Sequence, residues 1–263
     1  MHSWITPRSS PGEPGSSPIL YCFHHAGGSA SSFGSWRTNW PASSVIRAIQ
    51  LPGRPGSGEL PPEAATLDEL LAELLACFVD QFPRPRRFAF YGHSLGALVA
   101  FKLAQALAER GDPTPAFLAV SGRRGPTSPL RGKKLWDLEQ GPLLDALRSM
   151  GGMPPLLLES PKWRQVFLPS MRADLRLSDE YRHTGNALID VPVLAFRGAG
   201  DPIVQPEELE AWRNIAQGSF ERHEFPGNHF FSAEGTQALQ RRLQSEMALL
   251  LRGNATQRAA TCT

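Results

Sequence analysis

Three residue types that together activate a hydroxyl group for nucleophilic attack occur in this sequence, each in a distinctive context. Ser94 lies in Gly-His-Ser-Leu-Gly, residues 92–96, which matches the pattern G-x-S-x-G. Asp201 lies in Gly-Asp-Pro after an apolar stretch, and His229 lies in Gly-Asn-His-Phe-Phe. A serine hydroxyl is a weak nucleophile until a histidine removes its proton, and a carboxylate fixes the tautomer of that histidine. The sequence therefore predicts Ser94 as nucleophile, His229 as base and Asp201 as the group that orients the base.

The order of these residues strengthens an interpretation that each residue alone would not support. An isolated Asp-Pro is more often a turn than a catalyst, and an isolated histidine is more often structural. Here the order is Ser, Asp, His, and each residue follows a predicted strand, as in the α/β-hydrolase fold. A sharp strand-to-helix turn at Ser94 also explains the glycines at 92 and 96, because only small neighbours fit there. The histidines at positions 2, 93, 183 and 223 are given no catalytic role.

Two backbone N–H groups are expected to stabilise the negative charge that develops on the substrate oxygen. One belongs to Leu95, directly after the predicted nucleophile, and the other belongs to the loop His-Ala-Gly-Gly, residues 25–28. Ala26 is the predicted donor in this loop, whose glycines allow the backbone to approach a substrate closely. The adjacent His24 and His25 raise the alternative of a metal site. No third ligand stands at a recognisable spacing, so we expect neither a metal nor another cofactor.

Strand and helix patterns alternate along most of the chain. The local sequence patterns predict strands at residues 19–23, 45–51, 87–91, 116–121, 191–197 and 220–225, with helices over 66–78, 97–110, 207–215 and 235–251. This alternation predicts an α/β protein, the α/β-hydrolase fold, with a mostly parallel central sheet and helices on both faces. We expect a flexible N-terminal segment (residues 1–17), one domain (residues 18–251) and a flexible C-terminal tail (residues 252–263). A Leu-, Met- and Trp-rich stretch at about residues 122–187 interrupts the alternation and predicts a helical lid inserted into the domain.

Composition narrows the possible partners and compartment. The 263 residues include 27 basic and 25 acidic side chains, a balance too even to favour nucleic acid or a membrane as the main partner. Three scattered cysteines without a C-x-x-C pair favour a reducing compartment. Neither a secretory signal nor a membrane-spanning run is recognisable. We therefore expect a soluble, cytoplasmic monomer.

Beyond the triad, the sequence resembles the type II thioesterases that accompany polyketide and nonribosomal peptide synthases. The matching motifs are His-Ala-Gly-Gly-Ser-Ala (25–30), Gln-Leu-Pro-Gly-Arg (50–54), Tyr-Gly-His-Ser-Leu-Gly-Ala (91–97), Ser-Gly-Arg-Arg (121–124), Gly-Gly-Met-Pro (151–154), Met-Arg-Ala-Asp (171–174) and Gly-Asn-His-Phe-Phe (227–231). They extend from about residue 19 to residue 232. Two positions depart from the family pattern, namely His24 in place of proline and Asn228 in place of glycine. A further arginine expected soon after Arg54 is missing.

This resemblance implies hydrolysis of acyl thioesters held on the phosphopantetheine arm of an acyl carrier protein or peptidyl carrier protein. It also implies an editing role, in which the enzyme removes stalled or incorrect acyl units from a synthase. The basic cluster Arg123, Arg124, Arg131, Lys133 and Lys134 is then a candidate docking surface for an acidic carrier protein, with a solvated surface as the alternative. The Asp of Met-Arg-Ala-Asp is interpreted only as a helix cap or ion-pair partner.

Three other functions remain open from the sequence. A general serine carboxylesterase would use the same triad on soluble esters. A non-catalytic binding module with a hydrolase fold is the alternative from a different class. A thioesterase fused to a synthase is less expected, because the chain starts at Met1 and contains no carrier motif before the hydrolase pattern.

Overall fold

The computed structural model describes residues 5–6, 17–51, 66–81, 87–151, 155–184 and 188–260. Its strands are β1 (Ile5–Thr6), β2 (Ile19–Phe23), β3 (Val45–Ile49), β4 (Phe88–His93), β5 (Leu118–Ser121), β6 (Val193–Gly198) and β7 (Phe220–Phe225). Its α-helices are α1 (Gly34–Thr38), α2 (Leu67–Gln81), α3 (Leu95–Glu109), α4 (Gln140–Met150), α5 (Pro155–Glu159), α6 (Pro161–Glu180), α7 (Pro206–Glu210) and α8 (Ala233–Ala260). Short 3-10 helices occur at Ala30–Phe33, Leu135–Asp137 and Ala211–Ile215.

The strands form one sheet in the order β1-β3-β2-β4-β5-β6-β7. Strands β2 to β7 pair in parallel, and only β1 is antiparallel to its neighbour. The predicted α/β-hydrolase fold with a mostly parallel sheet is thereby confirmed. Because parallel strands end at the same edge, the turns after β2, β4, β6 and β7 meet at that edge.

The centre of the sheet is covered on both faces, which explains why β2 is a continuous apolar run, whereas the edge strand β7 is largely polar. Along β2, Ile19, Tyr21 and Phe23 belong to one hydrophobic cluster, with α2 and α3. Leu20 and Cys22 belong to the cluster on the opposite face, with α8. All five residues are fully buried. The alternation of side chains along a strand therefore anchors the strand on two sides at once.

The two ends of the chain differ from expectation. We expected the first strand at residue 19, but Ile5 and Thr6 form β1 and pair with Ile49 and Ala48 of β3. A two-residue edge strand is held by backbone hydrogen bonds and leaves no side-chain periodicity to detect. Helix α8 continues to Ala260, past the predicted end at 251 and into the segment predicted as a tail. The remaining residues before 17 and residues 261–263 lie outside the described part.

The segment between β5 and β6 contains α4, α5 and α6, as the prediction of a helical insertion requires. These helices bury a small apolar cluster of their own, formed by Leu143, Leu144, Leu147, Met150, Leu158, Leu168, Met171 and Leu175. Its partly buried neighbours include Ala26 and Phe230, from the loops after β2 and β7. The insertion, which we call the lid, thus packs on loops at the strand ends. Within the described residues, no helix is both long enough and apolar enough to cross a bilayer.

Candidate active site

Ser94 occupies a strained turn between β4 and α3. Its backbone has φ 55° and ψ −114°, and it is the one non-glycine residue with positive φ in the described chain. Its N–H donates to the carbonyl oxygen of Ser121 at 2.8 Å. A Cβ added to Gly92 would lie 2.2 Å from the Gly96 oxygen, and one added to Gly96 would lie 2.1 Å from the Phe23 oxygen. The two glycines therefore permit the close packing that holds Ser94 in this conformation.

Asp201 and His229 form a buried hydrogen-bonded pair. The Nδ1 atom of His229 lies 3.0 Å from Oδ2 of Asp201, and both side chains are almost completely buried. The other carboxylate oxygen accepts hydrogen bonds from the N–H groups of Ile203 at 2.8 Å and Val204 at 3.2 Å. An ionised carboxylate can only accept, so the His229 proton lies on Nδ1 and Nε2 is left as the basic nitrogen.

The carboxylate of Asp201 remains charged at neutral pH. Burial by itself raises the pKa of this group, but the hydrogen bond and charge of His229 and the N–H groups of Ile203 and Val204 act in the opposite direction. The net effect is a pKa below the ordinary value for aspartate. Asp201 is therefore suited to stabilise an imidazolium at His229.

The loop that carries His229 is seated by close backbone contacts. Gly200 donates its N–H to the Gly227 carbonyl oxygen at 2.9 Å, and Gly227 has a φ of 120°. A Cβ on Gly198 would lie 1.9 Å from the Asn228 oxygen. The side-chain oxygen of Asn228, which replaces the usual glycine, would lie 2.8 Å from a Cβ on Gly200. Asn228 is thus accommodated because glycines face it across the loop.

A cavity of about 480 Å³ contains both Ser94 and His229 in its wall. Ser94 is half-buried, so its side chain is accessible from this space. The lid supplies much of the apolar lining through Leu135, Leu147, Met150, Met171 and Leu175, and Phe230 adds to it. A cavity with these walls can bury an acyl chain while the reacting carbonyl lies beside Ser94.

The two predicted oxyanion donors lie on opposite sides of Ser94 in the sequence. Leu95 is the first residue of α3, so its N–H has no acceptor one turn earlier in the helix. Ala26 lines the cavity. It lies in a turn that is closed by a hydrogen bond of 3.0 Å from the Gly28 N–H to the His25 carbonyl oxygen. Within the described residues, the Ala26 N–H makes no hydrogen bond. Both N–H groups thus remain free to donate to a substrate oxygen.

His93, to which the sequence analysis gave no role, lies directly behind the pair. Its Nδ1 is 2.8 Å from the Ser121 hydroxyl, which in turn is 2.9 Å from the Tyr91 hydroxyl. The His93 and His229 rings are 5.1 Å apart between centroids. Burial, and then the nearby His229 and His25, hold the pKa of His93 well below its ordinary value. His93 is therefore a neutral packing partner of His229, a role that only its place in G-x-S-x-G could have suggested.

His24 is a buried structural residue. Its Nε2 accepts from the Leu51 N–H at 3.3 Å, so the proton lies on Nδ1, which donates to the His25 oxygen at 2.8 Å. Both ring nitrogens are thus occupied by backbone groups. Over the described ranges, no cluster of His, Cys, Asp or Glu side chains has the geometry of a metal site.

The predicted basic cluster divides into buried and exposed members. Arg123 is buried, donates to the hydroxyl and carbonyl oxygens of Ser178, and has a pKa that burial lowers to about 9. Arg131 is exposed, but its Nε lies 3.2 Å from Oε1 of Glu208, so the two side chains form an ion pair. Arg123 is therefore unavailable for docking, because it connects the end of β5 to α6. Lys133 remains exposed.

Comparisons with known proteins show which family this chain resembles. The thioesterase domain family model matches residues 18–247. The gramicidin S biosynthesis protein GrsT of Aneurinibacillus migulanus is 34% identical over 82% of this chain and 83% of its own length. Thioesterase PikA5 of Streptomyces venezuelae is 33% identical over 83% of this chain and 76% of its own.

A solved structure extends the likeness to three dimensions. The RedJ thioesterase from the prodiginine pathway of Streptomyces coelicolor superposes with a TM-score of 0.82 at 33% identity. The match covers 92% of this chain and 90% of that one. The chain thus belongs to the thioesterase family, as its resemblance to type II thioesterases predicts, and is a thioester hydrolase with the α/β-hydrolase fold.

Proposed function

We propose that this enzyme hydrolyses acyl thioesters on phosphopantetheinylated carrier proteins through Ser94, His229 and Asp201. The observation that carries the proposal is the buried Asp201–His229 pair, whose histidine shares an apolar cavity with the strained Ser94. A thioester needs a nucleophile, a base and an oxyanion site, but no metal and no redox cofactor.

The first half of the reaction forms an acyl-enzyme. The Ser94 Oγ attacks the thioester carbonyl carbon while Nε2 of His229 takes the hydroxyl proton. The N–H groups of Leu95 and Ala26 hydrogen-bond the oxyanion of the tetrahedral intermediate. The carbon–sulfur bond then breaks, and the pantetheine thiol leaves with the proton from His229.

The second half releases the acid and restores the enzyme. Water attacks the Ser94 ester while His229 takes a proton from it, and the second tetrahedral intermediate uses the same N–H groups. The carbon–oxygen bond to Ser94 breaks, His229 returns the proton to Oγ, and the carboxylic acid departs. Asp201 stabilises the imidazolium formed in each half.

The names of the relatives support a carrier-bound substrate. One relative is named for the biosynthesis of gramicidin S, and another is a thioesterase of the prodiginine pathway. A third is a thioesterase of Streptomyces venezuelae. A free-standing hydrolase can serve a polyketide or nonribosomal peptide synthase by removing blocked or incorrect acyl groups. This is the editing role that we propose for the enzyme. The cytoplasm is the compartment we propose, consistent with the free thiols of Cys22 and Cys77.

The substrate class is tested by offering one acyl group in three forms. These are the acyl-carrier protein, the acyl N-acetylcysteamine thioester and the p-nitrophenyl ester. We expect kcat/KM to be highest for the carrier-bound form, because the carrier adds binding that the small molecules lack. A p-nitrophenyl ester cleaved far faster than either thioester would favour a general carboxylesterase instead.

A further inference from the structure

The oxyanion turn, residues His25–Gly28, has a specific backbone geometry. Gly27 is its third residue and has a φ of 69°. Ala26, the second residue, has negative φ, because Ser94 is the one non-glycine residue with positive φ in the described chain. These signs define a type II turn, whose central peptide, between Ala26 and Gly27, is turned over relative to a type I turn.

Two side chains of the lid helix α6 contact this central peptide. Asp174 accepts a hydrogen bond from the Gly27 N–H on Oδ2 at 2.7 Å. Met171 packs so closely that a Cβ on Gly27 would lie 2.5 Å from its terminal methyl carbon. Both side chains are buried. Because both contacts come from side chains of α6, the orientation of the turn depends on the position of α6.

We propose that Asp174 is a positioning residue that holds the oxyanion turn in its type II form. Its carboxylate accepts the Gly27 N–H, so the site is competent only while α6 packs on the turn. The proposal rests on the proposed roles of Ser94 and Ala26. With the central peptide turned over, the Ala26 carbonyl oxygen would face the Asp174 carboxylate, and the two would repel. The direction of the adjacent Ala26 N–H would no longer be fixed.

The first test separates catalysis from binding. Asp174→Ala and Asp174→Asn are compared with the wild type on an acyl N-acetylcysteamine thioester, which requires no carrier protein. Because a loosened donor weakens transition-state stabilisation, we expect Asp174→Ala to lower kcat by ~10- to 100-fold. KM should change by less than ~2-fold. Asp174→Asn should retain most activity, because the amide oxygen can accept the same hydrogen bond. Glu180→Gln, at the exposed end of α6, is the matched control and should match the wild type.

A second measurement is the affinity for a transition-state mimic, which would not change selectively if the role of Asp174 were purely structural. An alkyl boronic acid forms a bond from its boron to the Ser94 Oγ while His229 takes the hydroxyl proton, and the resulting tetrahedral anion mimics the transition state. Its inhibition constant in Asp174→Ala should rise by the same factor by which kcat falls. The affinity for the product acid should stay at the wild-type value. An unchanged kcat in Asp174→Ala, or a lost kcat with unchanged boronic acid affinity, would overturn the proposal.

A third variant covers the case in which Asp174→Ala fails to fold. Asp174→Glu retains the charge but displaces the acceptor by one methylene, so its kcat should fall while that of Asp174→Asn stays high. The opposite order would show that charge, rather than hydrogen-bond position, matters, and would refute the inference. Ser94→Ala is measured in parallel. Thioester hydrolysis by Ser94→Ala would refute the proposed nucleophile, whereas the Asp174 series is judged against the wild type on the small thioester.

Discussion

Burying a carboxylate destabilises the folded protein unless both oxygens accept hydrogen bonds. At Asp201 the two oxygens have different hydrogen-bond partners. Oδ1 accepts from the N–H groups of Ile203 and Val204, while Oδ2 faces Nδ1 of His229. The backbone donors fix which oxygen the histidine meets. The tautomer of His229 is therefore determined by the turn after β6 as well as by the aspartate.

The variant Asp201→Asn tests whether the tautomer of His229 depends on the turn after β6. The backbone donors hold the asparagine oxygen in the Oδ1 position, so its NH₂ group faces His229 and forces the proton onto Nε2. We expect kcat to fall by ~10⁴-fold with the fold retained. The measurement is the steady-state rate on an acyl N-acetylcysteamine thioester. Asp145→Asn, at an exposed position of α4, is the control, and an equal loss in both variants would contradict the assignment.

The buried His93 predicts a dependence of stability on pH. Its pKa in the folded protein lies well below the ordinary 6.5, so the unfolded chain takes up a proton that the folded chain refuses. The stabilisation is complete above pH 6.5 and is lost as pH falls toward the folded pKa, by up to ~1.4 kcal/mol per pH unit. Urea unfolding at pH 8, 6.5 and 5.5 measures it.

His93→Asn isolates this contribution. The asparagine amide can retain the contact with the Ser121 hydroxyl but does not titrate. We expect the variant to be less stable than wild type at pH 8, with the difference shrinking at pH 5.5. A difference in free energy of unfolding that stays constant across these pH values would show that His93 is not the responsible group.

Functional residues could be predicted from the sequence where a short motif contains them. Ser94, Asp201 and His229 each stand in a short pattern after a strand, and the structure brings Asp201 and His229 into contact. Asp174 and Ser121 could not be assigned in this way. Their roles depend on partners 147 and 28 positions away, at Gly27 and His93, which no local spacing reveals.

At the scale of elements, the strand-to-helix turn at Ser94, which we call the elbow, requires α3 to pack closely on the end of β2. Gly96→Ala would place a Cβ 2.1 Å from the Phe23 oxygen and 2.7 Å from the His24 oxygen, so α3 must move. We expect a loss of about 3 kcal/mol in the free energy of unfolding, or failure to fold. Gly141→Ala in α4 meets nothing within 4 Å and should change stability by less than ~1 kcal/mol. Comparable urea midpoints for the two variants would refute this account.

Strands and helices with strong periodicity were predicted closely, and the exceptions have physical causes. The strands predicted at 19–23 and 220–225 match β2 and β7. Strand β1 was missed because backbone pairing with β3 stabilises it. The helix predicted from Ala97 begins at Leu95, since the elbow starts the helix directly after Ser94. Residues 52–65, which include the Pro-Gly-Arg motif, and residues 152–154 of Gly-Gly-Met-Pro lie outside the described part.

For the whole molecule, the proposed partner is a separate acidic protein, so association should depend on surface charge. The exposed Lys133 follows Arg131, whose charge is paired with Glu208. Lys133→Glu should lower kcat/KM for an acyl-carrier protein by ~10-fold and weaken its dependence on salt, because complementary charges steer association. Arg241→Glu, exposed on α8, is the matched control. Equal effects of the two substitutions would count against docking near Lys133.

The central claim is that Ser94 releases acyl groups from carrier proteins, and intact-protein mass spectrometry tests it directly. Acyl-phosphopantetheinyl carrier proteins with several acyl lengths are incubated with wild type or with Ser94→Ala. The account predicts that the wild type returns the carrier to its free thiol mass while Ser94→Ala leaves the acyl mass unchanged. Acyl-carriers left intact by a wild-type enzyme that still cleaves simple esters through Ser94 would contradict it.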